Sequence, residues 1–375
     1  MGIWIVVTVQ NLDEQIKKIK GPVLIFGAGG FVGFNLLQKL LSVRKDVFGV
    51  FSDPSKNWRL KKKTTSPRYV VKCDIGDRGA LSGLISRIKP QAVFNLAAYG
   101  AYSTQKDIDN IYQTNFNSTY VLIEEVKKYG FSAYVHAGSQ SEYGFNCTAP
   151  SEDEELIPDS HYAVSKTADY YLLKHYGKIE KLPVVHLRLY SVYGLWEEPN
   201  RLIPTLIREA RKGKLPKFVD PDISRDFVNV EDASEAFIRT AVILASDPAK
   251  GGVTPESNND SESRYALRAT RSRQAGMTKK ILKRAIVLSD SEWIHYDKLY
   301  GEAFNVCTGK KTTIRKLAYL AKKLFNIKEE PKFGSMKNRE WDLKDWYGNP
   351  KKINNQLDWK AKTSLESGLE KLFLL

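Results

Sequence analysis

The sequence predicts an α/β fold: a parallel sheet covered by helices on both faces, doubly wound, joined to a smaller mixed α/β domain. Three observations predict it. Short apolar runs alternate with helical patterns through the first half of the chain, as parallel strands joined by crossover helices require. A glycine turn, "FGAGGFVG", stands between the first run and the first helical pattern. An acid, Asp53, closes the second run, twenty residues beyond Gly33.

Taken in order, "PVLIFGAGGFVGFNLLQKLL" reads as a buried strand, a glycine turn and a helix. "DVFGVFSD" is a second strand, "RYVVKCDI" a third, "QAVFNLAA" a fourth, "SAYVHAGS" a fifth and "PVVHLRLYSVYG" a sixth. "NSTYVLIEEVKKYG" and "SKTADYYLLKHYG" are helices between them. Residues 21–190 are thus expected to hold the doubly wound sheet, preceded by an extension over 1–20. Residues 191–375 are expected to form mainly the smaller domain, closing over the carboxyl ends of the strands. There "NRLIPTLIREARKGK" reads as a helix and "SRDFVNVEDASEAFIRTAVILA" as a strand running into a long helix. That second stretch, about 225–246, is a candidate to return to the first domain. "GEAFNVCTGKKTTIRKLAYLAKKLF" repeats the arrangement. The polar and then basic stretch at about 251–300 reads as a solvated insertion.

Composition narrows the function. The 375 residues suffice for one large domain or two intimate ones. The three cysteines, Cys73, Cys147 and Cys307, match no metal-ligand spacing and suggest a reducing compartment. "MGIWIVVTVQ" lacks the basic region and cleavage site of a signal peptide, and no run is long enough to span a bilayer. A buried strand or ordered arm is expected there, in a cytoplasmic chain with no membrane partner. The formal charge of +15 would attract a polyanion, but the lysines are scattered and accompany no nucleic-acid-binding motif. A negatively charged small substrate accounts for part of the excess, and nucleic acid is not the expected partner.

In the glycine turn, Gly27 permits the tight bend, Gly30 lets backbone approach a pyrophosphate, and Gly33 lets the helix pack against the strand. The helix opening at Phe31 and Val32 then faces the phosphate charge. Asp53 is placed to accept hydrogen bonds from both adenosine ribose hydroxyls and to repel a 2′-phosphate, so NAD is the expected cofactor. Lys56 and Arg59 follow closely and are placed to take a phosphate. The other reading of Asp53 is a turn aspartate ahead of Pro54.

Tyrosine four residues ahead of lysine occurs five times, at Tyr102/Lys106, Tyr162/Lys166, Tyr170/Lys174, Tyr319/Lys323 and Tyr347/Lys351. Spacing alone does not choose among them; topology does. Tyr162 begins the helix after the fifth strand, behind the turn "IPDS", near the carboxyl edge of the sheet where ligands bind. The fifth strand ends in "AGSQSEYG", which brings the Ser139 hydroxyl to the same edge. Ser139, Tyr162 and Lys166 therefore converge.

With these residues in place, the chain resembles the extended short-chain dehydrogenase/reductase family, in its NAD-dependent epimerase/dehydratase group acting on nucleotide sugars. The resemblance runs from about Pro22 to the C-terminus and rests on "GAGGFVG", "CDI", "FNLAA", "GSQSEYG", "YAVSK", "LRLYSVYG", "RDFVNVEDASEAF", "EAFNVCTGKKTTI" and "REWDLKDWYGNPKKINNQLDW". It implies a Rossmann domain for NAD, a substrate domain for a nucleotide-diphosphate sugar, and a homodimer through the helices bearing "NSTYVLIEEV" and "YAVSKTADYYLL". It implies Tyr162 as acid/base, Lys166 as its modulator and a ribose ligand, and Ser139 as the hydroxyl-positioning partner. It further implies Asp74 and Ile75 at the adenine, Tyr190 beside the nicotinamide, and Arg225 and Arg339 on the substrate diphosphate. Ser191 stands where the family often has asparagine. Family dehydratases place one or two carboxylates just after the hydroxyl residue. Here Gln140 and Ser141 fill those positions, and the only acid, Glu142, directly precedes Tyr143. A 4-epimerase is therefore the expected enzyme. A dehydratase, decarboxylase or ketoreductase on the same scaffold is the alternative, followed by an idle dinucleotide sensor or RNA binder.

Overall fold

The computed structural model describes residues 11–102, 104–247, 296–334 and 343–375. The first ten residues, most of the expected insertion at 251–300, and Arg339 lie outside the described residues. The first half of the chain runs α1 (Leu12–Lys18), β1 (Val23–Phe26), α2 (Phe31–Leu41), β2 (Val47–Phe51), α3 (Trp58–Lys62), β3 (Val70–Lys72), α4 (Arg78–Ile88), β4 (Ala92–Asn95), α5 (Ile108–Tyr112), α6 (Ser118–Lys127), β5 (Ala133–Ser139) and α7 (His161–Lys178). There follow β6 (Val184–Leu189), β7 (Ser191–Tyr193), α8 (Leu202–Ala210), β8 (Ser224–Arg225), β9 (Phe227–Asn229), α9 (Val230–Ala245), β10 (Ala303–Val306), β11 (Thr312–Thr313), α10 (Ile314–Leu324), α11 (Lys351–Gln356) and α12 (Leu365–Leu374).

Seven strands form one sheet in the order β10-β6-β5-β4-β1-β2-β3, and every neighbouring pair is parallel. β1 shows why the sequence takes this form. All four of its residues are buried, and they alternate between two cores. Val23 and Ile25 pack with Leu36 and Leu37 of α2 and Phe237 of α9. Leu24 and Phe26 pack on the opposite face with Leu84 of α4, Ile123 of α6 and Leu173 of α7. Each such side chain, fully buried, contributes about 1.5–3 kcal/mol. Both faces of the sheet are therefore closed by helices, as the continuous apolar runs predict.

Two features differ from the sequence reading. The sixth apolar run is not one strand: β6 stays in the main sheet, while β7 pairs with β9. The break is a tight turn in which the Val192 N–H donates to the Tyr190 carbonyl at 2.7 Å. The second half of the chain also returns a strand to the main sheet, since β10 lies parallel to β6 with Ala303 opposite His186. Beyond these strands, β8 and β11 pair antiparallel, and Leu206, Phe218, Phe227, Leu317 and Leu369 gather α8, α10 and α12 into a separate apolar cluster.

Candidate active site

In a parallel sheet all carboxyl ends share one edge, and loops from successive strands meet there. Gly27 follows β1, Asp53 follows β2, Asp74 follows β3, Ser139 ends β5 and Tyr190 follows β6. Tyr162 is the second residue of α7. The candidate residues described by the structure thus gather along that edge, apart from Arg225 in β8.

The glycine turn has the geometry a dinucleotide needs. Gly27 has a φ of +73°, in the left-handed region that favours glycine, and a Cβ there would stand 2.5 Å from the Leu96 carbonyl. A Cβ on Gly33 would lie 2.3 Å from the Gly27 carbonyl oxygen, so the close approach of helix to turn requires glycine. Gly30 caps α2 without a side-chain hydrogen bond. The N–H groups of Phe31 and Val32 therefore have no acceptor within the helix and are left for an anion. These features fit NAD.

Asp53 takes the turn-aspartate role of its second sequence reading. Its Oδ1 accepts from the Ser55 N–H at 3.1 Å and from the Ser55 hydroxyl at 2.5 Å, capping the turn at Pro54. Its Oδ2 lies 3.3 Å from Lys56 Nζ. The Ser55 hydroxyl and Lys56 hold the carboxyl below its ordinary range. Arg59 is not free to receive a phosphate. It is buried and donates to the Gly29 carbonyl at 2.9 Å, the Trp196 carbonyl at 2.8 Å and Glu198 at 2.9 Å. It therefore ties the glycine turn to the loop after β7. Asp74 is exposed and accepts the Gly76 N–H at 2.9 Å, while Ile75 packs on the second core. Tyr190 is buried, with its hydroxyl unpartnered next to Gly348.

Ser139 and Tyr162 face each other across the edge, close enough for the Ser139 hydroxyl to act on the phenol, and Ser139 Oγ donates to Ser141 Oγ at 3.1 Å. Burial raises the Tyr162 phenol above its ordinary range, against the opposing pull of the Lys166 charge and Ser139. Lys166 is buried, and its Nζ lies 3.2 Å from His136 Nε2 and 3.3 Å from Asp169 Oδ2. The other four spaced tyrosines sit elsewhere. Tyr170 is covered by the Arg188 guanidinium at 4.5 Å. Tyr319 is exposed on α10, Tyr347 bridges to Thr148, and Tyr102 lies under Arg201.

Glu142 is fully buried. Its Oε1 accepts from the Ser139 N–H at 2.7 Å and meets His186 Nε2 at 2.8 Å, while Arg188 Nε lies 2.7 Å from its Oε2. Burial opposes its charge, but His186 and Arg188 hold the carboxyl down to about 2. Gly138 makes room for this arrangement, since a Cβ there would stand 2.1 Å from His186 Nε2. Arg225 donates to the Ser224 carbonyl at 2.8 Å, and its guanidinium lies 5.1 Å from the Trp346 ring.

Sequence reasoning missed Asn115. It lies in a π-helical turn, Gln113–Asn117, a distortion that recurs at functional sites. Its side chain donates to Ser165 Oγ at 2.8 Å and to the Tyr99 carbonyl at 2.9 Å, and it accepts the Tyr99 N–H at 2.8 Å. Ser165 in turn donates to the Tyr162 carbonyl at 2.8 Å. Asn115 thus locks the loop after β4 onto the turn of α7 that carries Tyr162. Asn115 precedes the helical pattern that opens at Asn117, so the pattern carried no signal for it.

The family model described as NAD dependent epimerase/dehydratase family matches residues 23–250, more than half of the chain. The chain belongs to this family, and NAD is its cofactor. It is similar to the UDP-glucose 4-epimerase of Mycolicibacterium smegmatis, at 32% identity over 61% of this chain and 74% of the relative. It is also similar to the dTDP-glucose 4,6-dehydratase of Haemophilus influenzae, at 28% identity over 57% of this chain and 69% of the relative. Among solved structures, the UDP-glucose 4-epimerase of Thermotoga maritima with UDP-glucose shares the fold. It has a TM-score of 0.71 and 21% identity, covering 94% of this chain and 97% of that one. Among the described residues no helix is long and apolar enough to cross a membrane.

Proposed function

We propose that this chain is an NAD-dependent nucleotide-sugar epimerase that acts by transient oxidation at C4 of the sugar. The observation that carries the choice within the family is the state of Glu142. A 4,6-dehydratase needs further acid/base groups beside the tyrosine, and Glu142 is the one carboxyl in the segment after Ser139 and before Tyr143. It is sealed under that segment by Arg188 and His186. Gln140 and Ser141, the residues adjoining Ser139, carry no carboxyl to take its place. This supports epimerisation over dehydration.

NAD, when bound, supplies the acceptor for the hydride of the sugar carbon and returns it. Gly27, Gly30, Phe31, Val32 and Gly33 would hold its pyrophosphate, Asp53 its adenosine ribose, Asp74 and Ile75 its adenine, and Tyr190 the nicotinamide side. Tyr162 takes the proton of the sugar hydroxyl and gives it back, contributing about two to four orders of magnitude in rate. Ser139, beside Tyr162 at the same edge of the sheet, orients that hydroxyl. Lys166 supplies positive charge to the phenolate and binds the nicotinamide ribose. Arg225 and Arg339 take the substrate diphosphate, for which a guanidinium fork is suited. In this reading residues 21–190 bind the cofactor, and the part beyond them, 191–375, mainly binds the sugar nucleotide. The epimerase similarity supports a nucleotide-diphosphate sugar as substrate. Tyr120 on α6 and Val164 and Tyr171 on α7 are exposed, which supports a homodimer formed through these helices.

The test is a panel of UDP-, GDP-, CDP- and dTDP-sugars followed by mass spectrometry and NMR. An epimerase gives a product of unchanged mass with inverted C4 geometry. A product lighter by one water makes the protein a dehydratase, and no turnover of any member returns it to the idle dinucleotide binders.

A further inference from the structure

Tyr162, Lys166 and Asp169 stand at i, i+4 and i+7 of α7, which places them in file along one helical face. The file continues into β5 through His136. Its Nε2 lies 3.1 Å from Asp169 Oδ2 and 3.2 Å from Lys166 Nζ, and all three side chains are at most 1% exposed. A buried ammonium with no counter-charge costs several kcal/mol, so the Lys166 amine is held where an anion is supplied. Asp169, one turn beyond it, is that anion.

The groups facing this trio complete the setting. Tyr134 adjoins on β5, and Tyr162 stands at the head of α7. From β6, His186 stacks on His136 with ring centres 5.3 Å apart and planes 9° from parallel. His186 in turn meets Glu142, which carries the Ser139 N–H. Burial and the Lys166 charge hold His136 down to about 4, so the ring is neutral at pH 7. Burial works against the Asp169 charge, yet Lys166 and His136 hold its carboxyl below its ordinary range. The trio is thus one anion, one cation and a neutral ring that fixes the anion.

We propose that Asp169, seated by His136, is the positioning residue of Lys166: it anchors the ammonium one helical turn from Tyr162 and so sets the pH range over which Tyr162 exchanges its proton. The proposal rests on the reading of Tyr162 and Lys166 given above. It concerns two residues, Asp169 and His136, that touch neither sugar nor cofactor in that reading.

The experiment titrates Tyr162 directly in the NAD-loaded protein. The ultraviolet tyrosinate absorbance of the parent chain, less that of Tyr162→Phe, gives the midpoint for this residue. The same difference is taken in an Asp169→Asn background. Loss of the anchor is expected to move the midpoint up by about one pH unit and to weaken NAD binding measured by calorimetry. Asp169→Glu, which keeps the charge, should recover most of both. An unchanged midpoint overturns the proposal. A downward shift overturns it too, since Asp169 would then act only by repelling the phenolate. If Asp169→Asn fails to fold, adding Lys166→Met removes the orphaned charge and should restore folding; a double variant that folds no better than the single one also overturns the proposal. Failure of the epimerase reading shows differently, as a sugar panel without turnover while the titration still shifts.

Discussion

Glu142 and Arg188 form a fully buried ion pair, Oε2 to Nε 2.7 Å, and the other carboxylate oxygen of Glu142 receives the backbone N–H of Ser139. The one acid between Ser139 and Tyr143 is thus the support on which the end of β5 rests. The Arg188 guanidinium also reaches Tyr143 and the Glu152 carbonyl, so one buried cluster fixes the floor of the site.

Glu142→Gln separates these roles. Removing one partner of a buried pair leaves the other charge uncompensated, so the variant should lose about 3–5 kcal/mol of stability in chemical denaturation. Turnover should fall alongside it, because the cluster beneath Ser139 loses the charge that pairs Arg188. A variant with full stability and abolished product formation would make Glu142 a reacting group.

Acid sensitivity should begin with His136. Its ordinary value is 6.5 and its folded value about 4, so protonation favours the unfolded chain. Its contribution is complete above pH 6.5 and is lost as pH falls towards 4, at up to about 1.4 kcal/mol per pH unit for one proton taken up. Glu142, with an ordinary value of 4.5 and a folded value of about 2, loses its contribution lower still. Urea midpoints measured from pH 7 to pH 4 should fall along this course. Replacing His136 with glutamine, which keeps a donor for Asp169, should flatten the upper part. A parent protein equally stable across that interval contradicts the assignment.

The cofactor preference should reside in Asp53. Its Oδ1 is engaged by Ser55, while its Oδ2 faces, among the described residues, Lys56, whose side chain is 87% exposed. That oxygen is the one placed to accept from a ribose hydroxyl. Asp53→Ala should weaken NAD binding about tenfold, the loss of one charge-assisted hydrogen bond, and should narrow the preference over NADP. Calorimetry giving equal affinities in the parent protein removes this role.

What the sequence made legible follows from the physics of each element. β1 and the glycine turn were readable because buried parallel strands need unbroken apolar runs and a dinucleotide turn needs glycine at fixed steps. Ser139 and Tyr162 were readable because strand order determines which loops share an edge. β10 was not assigned to the main sheet, because its four residues, AFNV, carry no signal of which strand they join. The break at Tyr190 depends on one backbone hydrogen bond within an otherwise continuous apolar run. Asp169 and His136 belong to different elements, and only the packing of α7 on β5 reveals that they share one proton-bearing cluster with Lys166. Asn115 was hidden by a π-turn that helical periodicity does not anticipate.

Tyr162 should be the one indispensable tyrosine of the five that precede a lysine by four residues. Its ring is half-buried, so Tyr162→Phe removes one oxygen and keeps the packing. Fold and NAD affinity should change little, while turnover falls by roughly two to four orders of magnitude. Burial holds the phenol above its ordinary range in the chain alone, so it is protonated at neutral pH. Activity should therefore rise with pH until the phenolate form is reached, and NAD, by adding positive charge beside the ring, should bring that point down. Phenylalanine at Tyr170 should cost far less, because it keeps the ring that packs on Arg188. Phenylalanine at exposed Tyr319 should be close to silent. The deciding measurement is single-turnover hydride transfer, followed as NADH absorbance with the sugar nucleotide found in the panel. If Tyr162→Phe transfers hydride at the parent rate, the proton passes through another group and the assignment of Tyr162 fails.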